Sequence, residues 1–179
     1  MNNNSIKKIV FGGLMIALVF LATYFPRIPT PLPGGYFNLG DSVIMVAAIL
    51  IGRNTGFAAG AIGSCLADLA LGSFLFAPIT FVVKGLEGYL TGAVAHTGLS
   101  GRSVPAGRSI AAVTVGAVVM VGGYFLAEAF VLGYFDSAFG ITAAAAELVP
   151  NLIQGVLGAV AGYLISVLLS RMNVKAYLA

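Results

Sequence analysis

Long apolar runs alternate with short polar breaks along nearly the whole chain. The first run covers 6–25 and stops at Pro26, Arg27, Pro29, Pro31 and Pro33. A loop follows over 26–40, with Pro33-Gly34-Gly35 as its turn signal. A second run, 41–51, is short unless it starts at Asn38 or tilts, and it ends at the polar break Gly52-Arg53-Asn54. The third run covers 55–71 and the fourth 78–95, where Pro78 suits a first helical turn. A stretch rich in Gly, Ser, Pro and Arg separates these from a fifth run, 109–132, and a sixth, 142–170. Pro150 is a candidate kink in the sixth run. About 20 apolar residues cross a bilayer as a helix, so the pattern predicts an all-α, polytopic membrane protein of six transmembrane helices. These nearly exhaust the chain as a single transmembrane substrate-binding domain over 1–179.

Composition removes the soluble alternative. Of 179 residues, 59% are hydrophobic and only 8% charged, where a soluble domain carries roughly 25% charge. The 24 glycines suit helices that pack backbone to backbone. The net charge of +3 reads as topology rather than as affinity for nucleic acid. If helices alternate from a cytoplasmic N-terminus, Lys7, Lys8, Arg53, Arg102, Arg108, Arg171 and Lys175 fall on the cytoplasmic side. Arg27 falls opposite, and Lys84 lies within a span. This asymmetry puts both termini in the cytoplasm and favours an even number of spans. Lys7 and Lys8 ahead of an apolar run imitate a signal peptide, but the run is long and no small-residue cleavage motif follows, so the helix is expected to be retained. Cys65 stands alone in an apolar run and reads as a packed small residue.

Small residues recur at four-residue spacing: Gly13 and Ala17, Gly56 and Gly60 with Ser64 and Asp68 continuing the face, and Gly88 and Gly92. Such faces allow close helix approach in lipid. Each serves internal packing or docks another membrane protein, and the first span, through Gly13 and Ala17, is the best docking face.

The polar residues inside the spans carry the functional signal, because an ionisable group in lipid faces the bundle interior or a cavity. Lys84 lies about 9 Å into the fourth span and Glu87 nearly one turn deeper. Glu147, Asn151 and Gln154 follow i, i+4, i+7 spacing and form one stripe, and Tyr124 shares a face with Glu128. Together they predict a polar cavity near the outer surface, lined by the last three spans and covered by the loops after the first and third. Tyr36, Phe37, Tyr124 and Tyr134 are candidate stacking surfaces. Structural readings stand beside these. Lys84 can neutralise Glu87 or Glu128, Asn151 and Gln154 can tie helices together, and Asp41 and Asp68 read as structural or capping residues. His96, Tyr134 and Tyr177 read as interfacial residues.

No phosphate-binding glycine loop, HExxH motif or cysteine pair is present. The sequence therefore points away from an enzyme and offers no metal or cofactor site. A stand-alone secondary transporter or channel is an alternative, although no inverted repeat supports it.

The stretch Phe37-Asn38-Leu39-Gly40-Asp41, the break Gly52-Arg53-Asn54, the series Gly56, Gly60, Ser64, Asp68 and Gly72, and the segment from Phe81 through Lys84 to Glu87 and Gly88 resemble the substrate-binding S component of energy-coupling factor (ECF) vitamin transporters. The resemblance covers nearly the whole chain. It implies a multi-pass protein of the bacterial cytoplasmic membrane that binds a small vitamin or precursor tightly near the outer face. The loop after the first helix would act as a lid, which adds Asn38 to the candidate contacts Tyr36, Lys84, Glu87, Glu128, Glu147, Asn151 and Gln154. Gly13 and Ala17 would match the motif that docks on a transmembrane coupling subunit, although glycine replaces the usual first alanine. That subunit is joined to two cytoplasmic ATPase subunits, which would hydrolyse the ATP. The pattern is closest to the hydroxymethylpyrimidine or pyridoxine branch, with riboflavin- or pantothenate-type cargo as the alternative.

Overall fold

The computed structural model describes residues 3–30, 36–99 and 104–172. The Pro-Gly-Gly turn at 33–35, Arg102, Lys175 and Tyr177 lie outside the described residues. Six helices account for most of the rest: α1 (Asn3–Tyr24), α2 (Gly40–Leu50), α3, α4 (Phe76–His96), α5 (Ala106–Phe130) and α6 (Ile141–Arg171). α3 is continuous but changes winding: Arg53–Ala58 and Cys65–Ala70 are regular, and Ala59–Ser64 between them is a π-helical turn. A two-residue antiparallel ribbon, absent from the sequence-based expectation, joins Ile28–Pro29 (β1) to Tyr36–Phe37 (β2) between α1 and α2.

Burial runs opposite to that of a water-soluble protein. Asp41, Glu87 and Lys84 are 0%, 0% and 2% exposed, while Val118 and Leu164 are 65% and 58% exposed. An apolar exterior around buried charges suits a hydrocarbon solvent. α5 and α6 are long and apolar enough to cross a membrane. α6, at 31 residues, reaches about 46 Å and runs on unbroken through Pro150.

α2 is the hub. All but one of its residues are buried, and α1, α3, α4, α5 and α6 form an arc around it. Its 11 residues span only about 16 Å. It stops at Gly52, whose φ of 131° favours glycine and lets the chain turn straight into α3. Such a short central helix cannot fill a bundle built of longer ones, and the space left beyond its N-terminus becomes the site.

Glycine sets the spacing on two sides of the hub. A methyl group on Gly56 would come within 2.7 Å of the Gly88 carbonyl oxygen, and one on Gly60 would collide with the Lys84 carbonyl. α3 and α4 therefore meet backbone to backbone. On α6, a methyl on Gly158 would sit 2.8 Å from Asp41 Cβ, and one on Gly162 would sit 3.0 Å from Met45 Cβ. Gly13 on α1 differs: nothing lies within 4 Å of where its methyl would be.

Candidate binding chamber

The site begins with the entry to α2. The Asn38 side chain accepts the backbone N–H of Gly40 at 2.8 Å, answering one of the donors that a helix start leaves unpaired. The Asn38 backbone N–H in turn donates to Gln154 Oε1 at 2.9 Å. Gln154 Nε2 donates to Asp41 Oδ2 at 2.9 Å. Asp41 Oδ1 accepts from the Lys84 ammonium, which also lies 3.3 Å from Glu87 Oε2. One chain of contacts thus links the loop, α2, α4 and α6. Burial of these charges is tolerated because each has an opposite partner or a hydrogen bond.

Beyond this network lies a narrow polar chamber with about 40 Å³ of free space, room for little more than water until its walls part. Thr23 from α1 and Tyr36 and Asn38 from the loop form one side. Ser64 and Asp68 enter from α3, Phe76, Thr80 and Lys84 from α4, Tyr124 and Glu128 from α5, and Glu147, Asn151 and Gln154 from α6. Tyr36 donates its hydroxyl to Asp68 Oδ1 at 2.5 Å and ties the ribbon to the end of α3. Burial, and then the Asp68 charge, push the Tyr36 phenol well above its ordinary range, so it stays a donor. Thr80 Oγ1 and Tyr124 OH are hydrogen-bonded at 2.9 Å. The Lys84 ammonium stands 5.5 Å from the Tyr124 ring centroid, within cation–π reach. A larger groove between α4 and α5 is walled almost wholly by apolar side chains such as Val82, Leu86 and Leu126, and it opens on the outward face.

The sequence candidates separate into three groups. Tyr36, Lys84, Glu128, Glu147 and Asn151 line the chamber. Asn38 and Gln154 also border it, with side-chain atoms already bonded within the protein. Glu87 does not border it and sits behind Lys84 as a fully buried counter-charge. Of the proposed stacking residues, Tyr124 reaches the chamber, Phe37 belongs to the ribbon, and Tyr134 is 88% exposed on the turn after α5. Lys84 pairs with Asp41 as well as Glu87, a partner that adjacency along one helix does not reveal. Asp68, read from sequence as structural or capping, faces the chamber, as do Thr23, Ser64, Phe76 and Thr80. The small-and-polar series along α3 signalled Ser64 and Asp68, the start of α4 ahead of Pro78 brings in Phe76, and no sequence pattern singles out Thr23 or Thr80.

The family model of the ECF-type riboflavin transporter S component matches residues 3–171. The chain belongs to this family. An S component is an integral protein of the cytoplasmic membrane that serves vitamin transport, and it is not an enzyme. Individual relatives are similar over different shares of the chain. It is 37% identical to an uncharacterised protein of Pyrococcus woesei over 144 residues, 80% of this chain and 88% of that one. It is 26% identical to the thiamine precursor transporter HmpT of Lactococcus lactis subsp. cremoris over 175 residues, 97% of this chain and 94% of that one. A UPF0397 protein of Streptococcus agalactiae is 36% identical over 93 residues, about half of each chain.

Proposed function

We propose that this S component captures a small hydroxymethylated nitrogen heterocycle, hydroxymethylpyrimidine or pyridoxine, at the outer face and delivers it inward within an ATP-driven ECF transporter. The observation that carries the reading is the chamber itself: polar groups from every helix except α2 converge at one end of an apolar bundle, over a charge cluster anchored on α2. The walls touch through Tyr36 and Asp68, so they must part to admit a ligand, and a single substituted ring asks for the least opening. Similarity to a thiamine precursor transporter over nearly the whole chain supports the same cargo class. Riboflavin, named in the family description, is the second reading and requires a deeper opening of the same chamber.

On this proposal the six helices act as one domain with six spans and both termini in the cytoplasm, the arrangement that places the basic residues inward. Short α2 then crosses with its polar ends sheltered by its neighbours rather than by lipid. A transmembrane coupling subunit docks on the exposed α1 face at Gly13 and Ala17, and two cytoplasmic ATPases hydrolyse the ATP, so this chain needs no cofactor of its own. The test is mass spectrometry of small molecules co-purifying with the detergent-solubilised protein, followed by thermal shift with each vitamin precursor. Stabilisation by a pyrimidine or pyridoxine ring supports the reading, and a melting temperature unmoved by every vitamin precursor overturns it. Solute movement in proteoliposomes holding this chain alone would make it a stand-alone transporter.

A further inference from the structure

A second polar cleft lies at the other end of the bundle, about 28 Å along α5 from Glu128. It sits between the start of α5, the end of α6 and the last turn of α2, with about 290 Å³ of free space. Ser109, Ser166, Ser170 and Arg171 form its polar wall. Ile49, Val104 and Val167 form its apolar one.

Three features of this cleft suit an anion. Ser166 is 1% exposed, and its hydroxyl finds no hydrogen-bond partner among the described residues. A buried hydroxyl on a cavity wall calls for a partner from the cavity side. The second feature is the start of α5, which brings Ala106 to the cleft and has no side-chain cap. The Ser109 N–H reaches the Pro105 carbonyl at 2.9 Å, so the N–H groups of Ala106, Gly107 and Arg108 have no partner inside the helix. A 25-residue helix adds the positive end of its dipole there. The third feature is charge. The chain has six acidic side chains, and none is among the described lining residues of the cleft. Asp68, Glu128 and Glu147 line the chamber, Asp41 and Glu87 pair with Lys84, and Asp136 follows the turn after α5. Arg171 therefore faces the cleft with no carboxylate beside it on that wall.

We infer that this cleft binds the phosphate of an anionic phospholipid, in the leaflet opposite the chamber. The phosphate oxygens accept from the start of α5, from Ser166 and from Arg171, a set of charge-assisted bonds. The acyl chains leave past the apolar wall toward the exposed apolar faces of α5 and α6, where Ile110 and Leu168 stand. That wall favours a lipid over free phosphate, and basic pockets between helix ends are where anionic head groups settle. The inference stands whatever the chamber carries.

The experiment titrates the purified full chain, in neutral detergent, with phosphatidylglycerol, with phosphatidylcholine of the same acyl chains, and with inorganic phosphate. Native mass spectrometry counts bound lipid, and the melting temperature reports stability. Phosphatidylglycerol should bind at least about 10-fold more tightly than phosphatidylcholine, whose choline cation meets the same arginine. Inorganic phosphate should raise the melt only at far higher concentration. Ser166→Ala removes an unpartnered hydroxyl, so the lipid-free melt should hold while phosphatidylglycerol binding falls about 5-fold or more. A hydroxyl serving packing alone would leave lipid binding unmoved. Arg171→Gln, at an exposed helix end, should weaken binding about 10-fold. Lys7→Gln, the same loss of charge on the exposed start of α1, should weaken it less than about 2-fold. Should Ser166→Ala fail to fold, the contrast between the Arg171 and Lys7 substitutions decides. Equal binding of the two lipids, equal effects of those two substitutions, or a melt raised as much by inorganic phosphate as by phosphatidylglycerol at the same concentration overturns the inference.

Discussion

The backbone N–H of Asn38 donates to Oε1 of Gln154 across 116 positions of sequence, at 2.9 Å. Because the other end of the same amide holds Asp41, also at 2.9 Å, Gln154 joins the loop over the chamber to the charge cluster beneath it. Gln154→Leu keeps the bulk and removes both bonds. Stranding a buried N–H and a buried carboxylate oxygen costs roughly 1–3 kcal/mol for each group. The variant is expected to melt several degrees lower in detergent, and its 26–40 loop should be cut faster by added protease. A melt and a digestion pattern equal to wild type would show that the amide bridge contributes nothing.

Lys84 stands between two buried carboxylates, Asp41 and Glu87. Lys84→Met leaves both without their cation, and breaking a buried pair from one side costs about 3–5 kcal/mol. Loss of thermal stability of that order is expected, measured by scanning fluorimetry without ligand. Adding Asp41→Asn and Glu87→Gln to the same chain should recover part of the loss, since the stranded charges are then gone. No recovery in the triple variant would mean that Lys84 acts through packing rather than charge.

Tyr36 is the loop's hydroxyl contact with α3. Tyr36→Phe should speed ligand release about 10-fold, in line with a net hydrogen bond of about 1–1.5 kcal/mol. Stopped-flow chase of bound ligand measures this. Burial and the Asp68 charge hold the Tyr36 phenol above its ordinary range. Its donor role therefore persists as pH rises, and wild-type release should show no acceleration from this group between pH 6 and 9, about four units below to one unit below an ordinary tyrosine's pKa of ~10. A release rate unchanged by the substitution would remove Tyr36 from the closing contact.

Two glycines on different faces should respond in opposite ways. Gly60→Val drives a branched side chain into the Lys84 backbone, so the protein should lose stability or fail to accumulate. Gly13→Leu meets open space, so the melt and ligand affinity of the isolated chain should stay at wild-type values. Uptake by cells that supply the coupling subunits should nonetheless fall steeply. Normal uptake by Gly13→Leu would move the docking face elsewhere.

Much of the helical frame was legible because lipid imposes a simple rule: an apolar run long enough to cross becomes a helix. That rule gave α1, α4, α5 and α6 to within a few residues. The spacing of Glu147, Asn151 and Gln154 likewise announced one face, and all three stand on the chamber wall. What stayed hidden depends on contacts between distant segments. Asp41 looked like a residue at a helix start, and only the approach of α2 to α4 makes it the partner of Lys84. Gln154 stood both as a ligand contact and as a tie between helices, and only the fold shows that its partners are Asn38 and Asp41. The ribbon carrying Tyr36 is two residues per strand, too short for any periodicity. Along α3, Gly56 and Gly60 press on α4, while Ser64, the last residue of the π-helical turn, and Asp68 beyond it border the chamber.

That turn also bears on how the chain can change in length. A π turn accommodates about one residue more than regular winding would. A deletion within Ala59–Ser64 could close up into ordinary helix while both flanks keep their bearings. The same deletion in the middle of α5 would swing everything past it by about 100°, carrying Glu128 off its wall. Of the helices around this chamber, α3 alone holds spare chain, and insertions and deletions in related sequences would be absorbed there at least cost to what the cavity recognises.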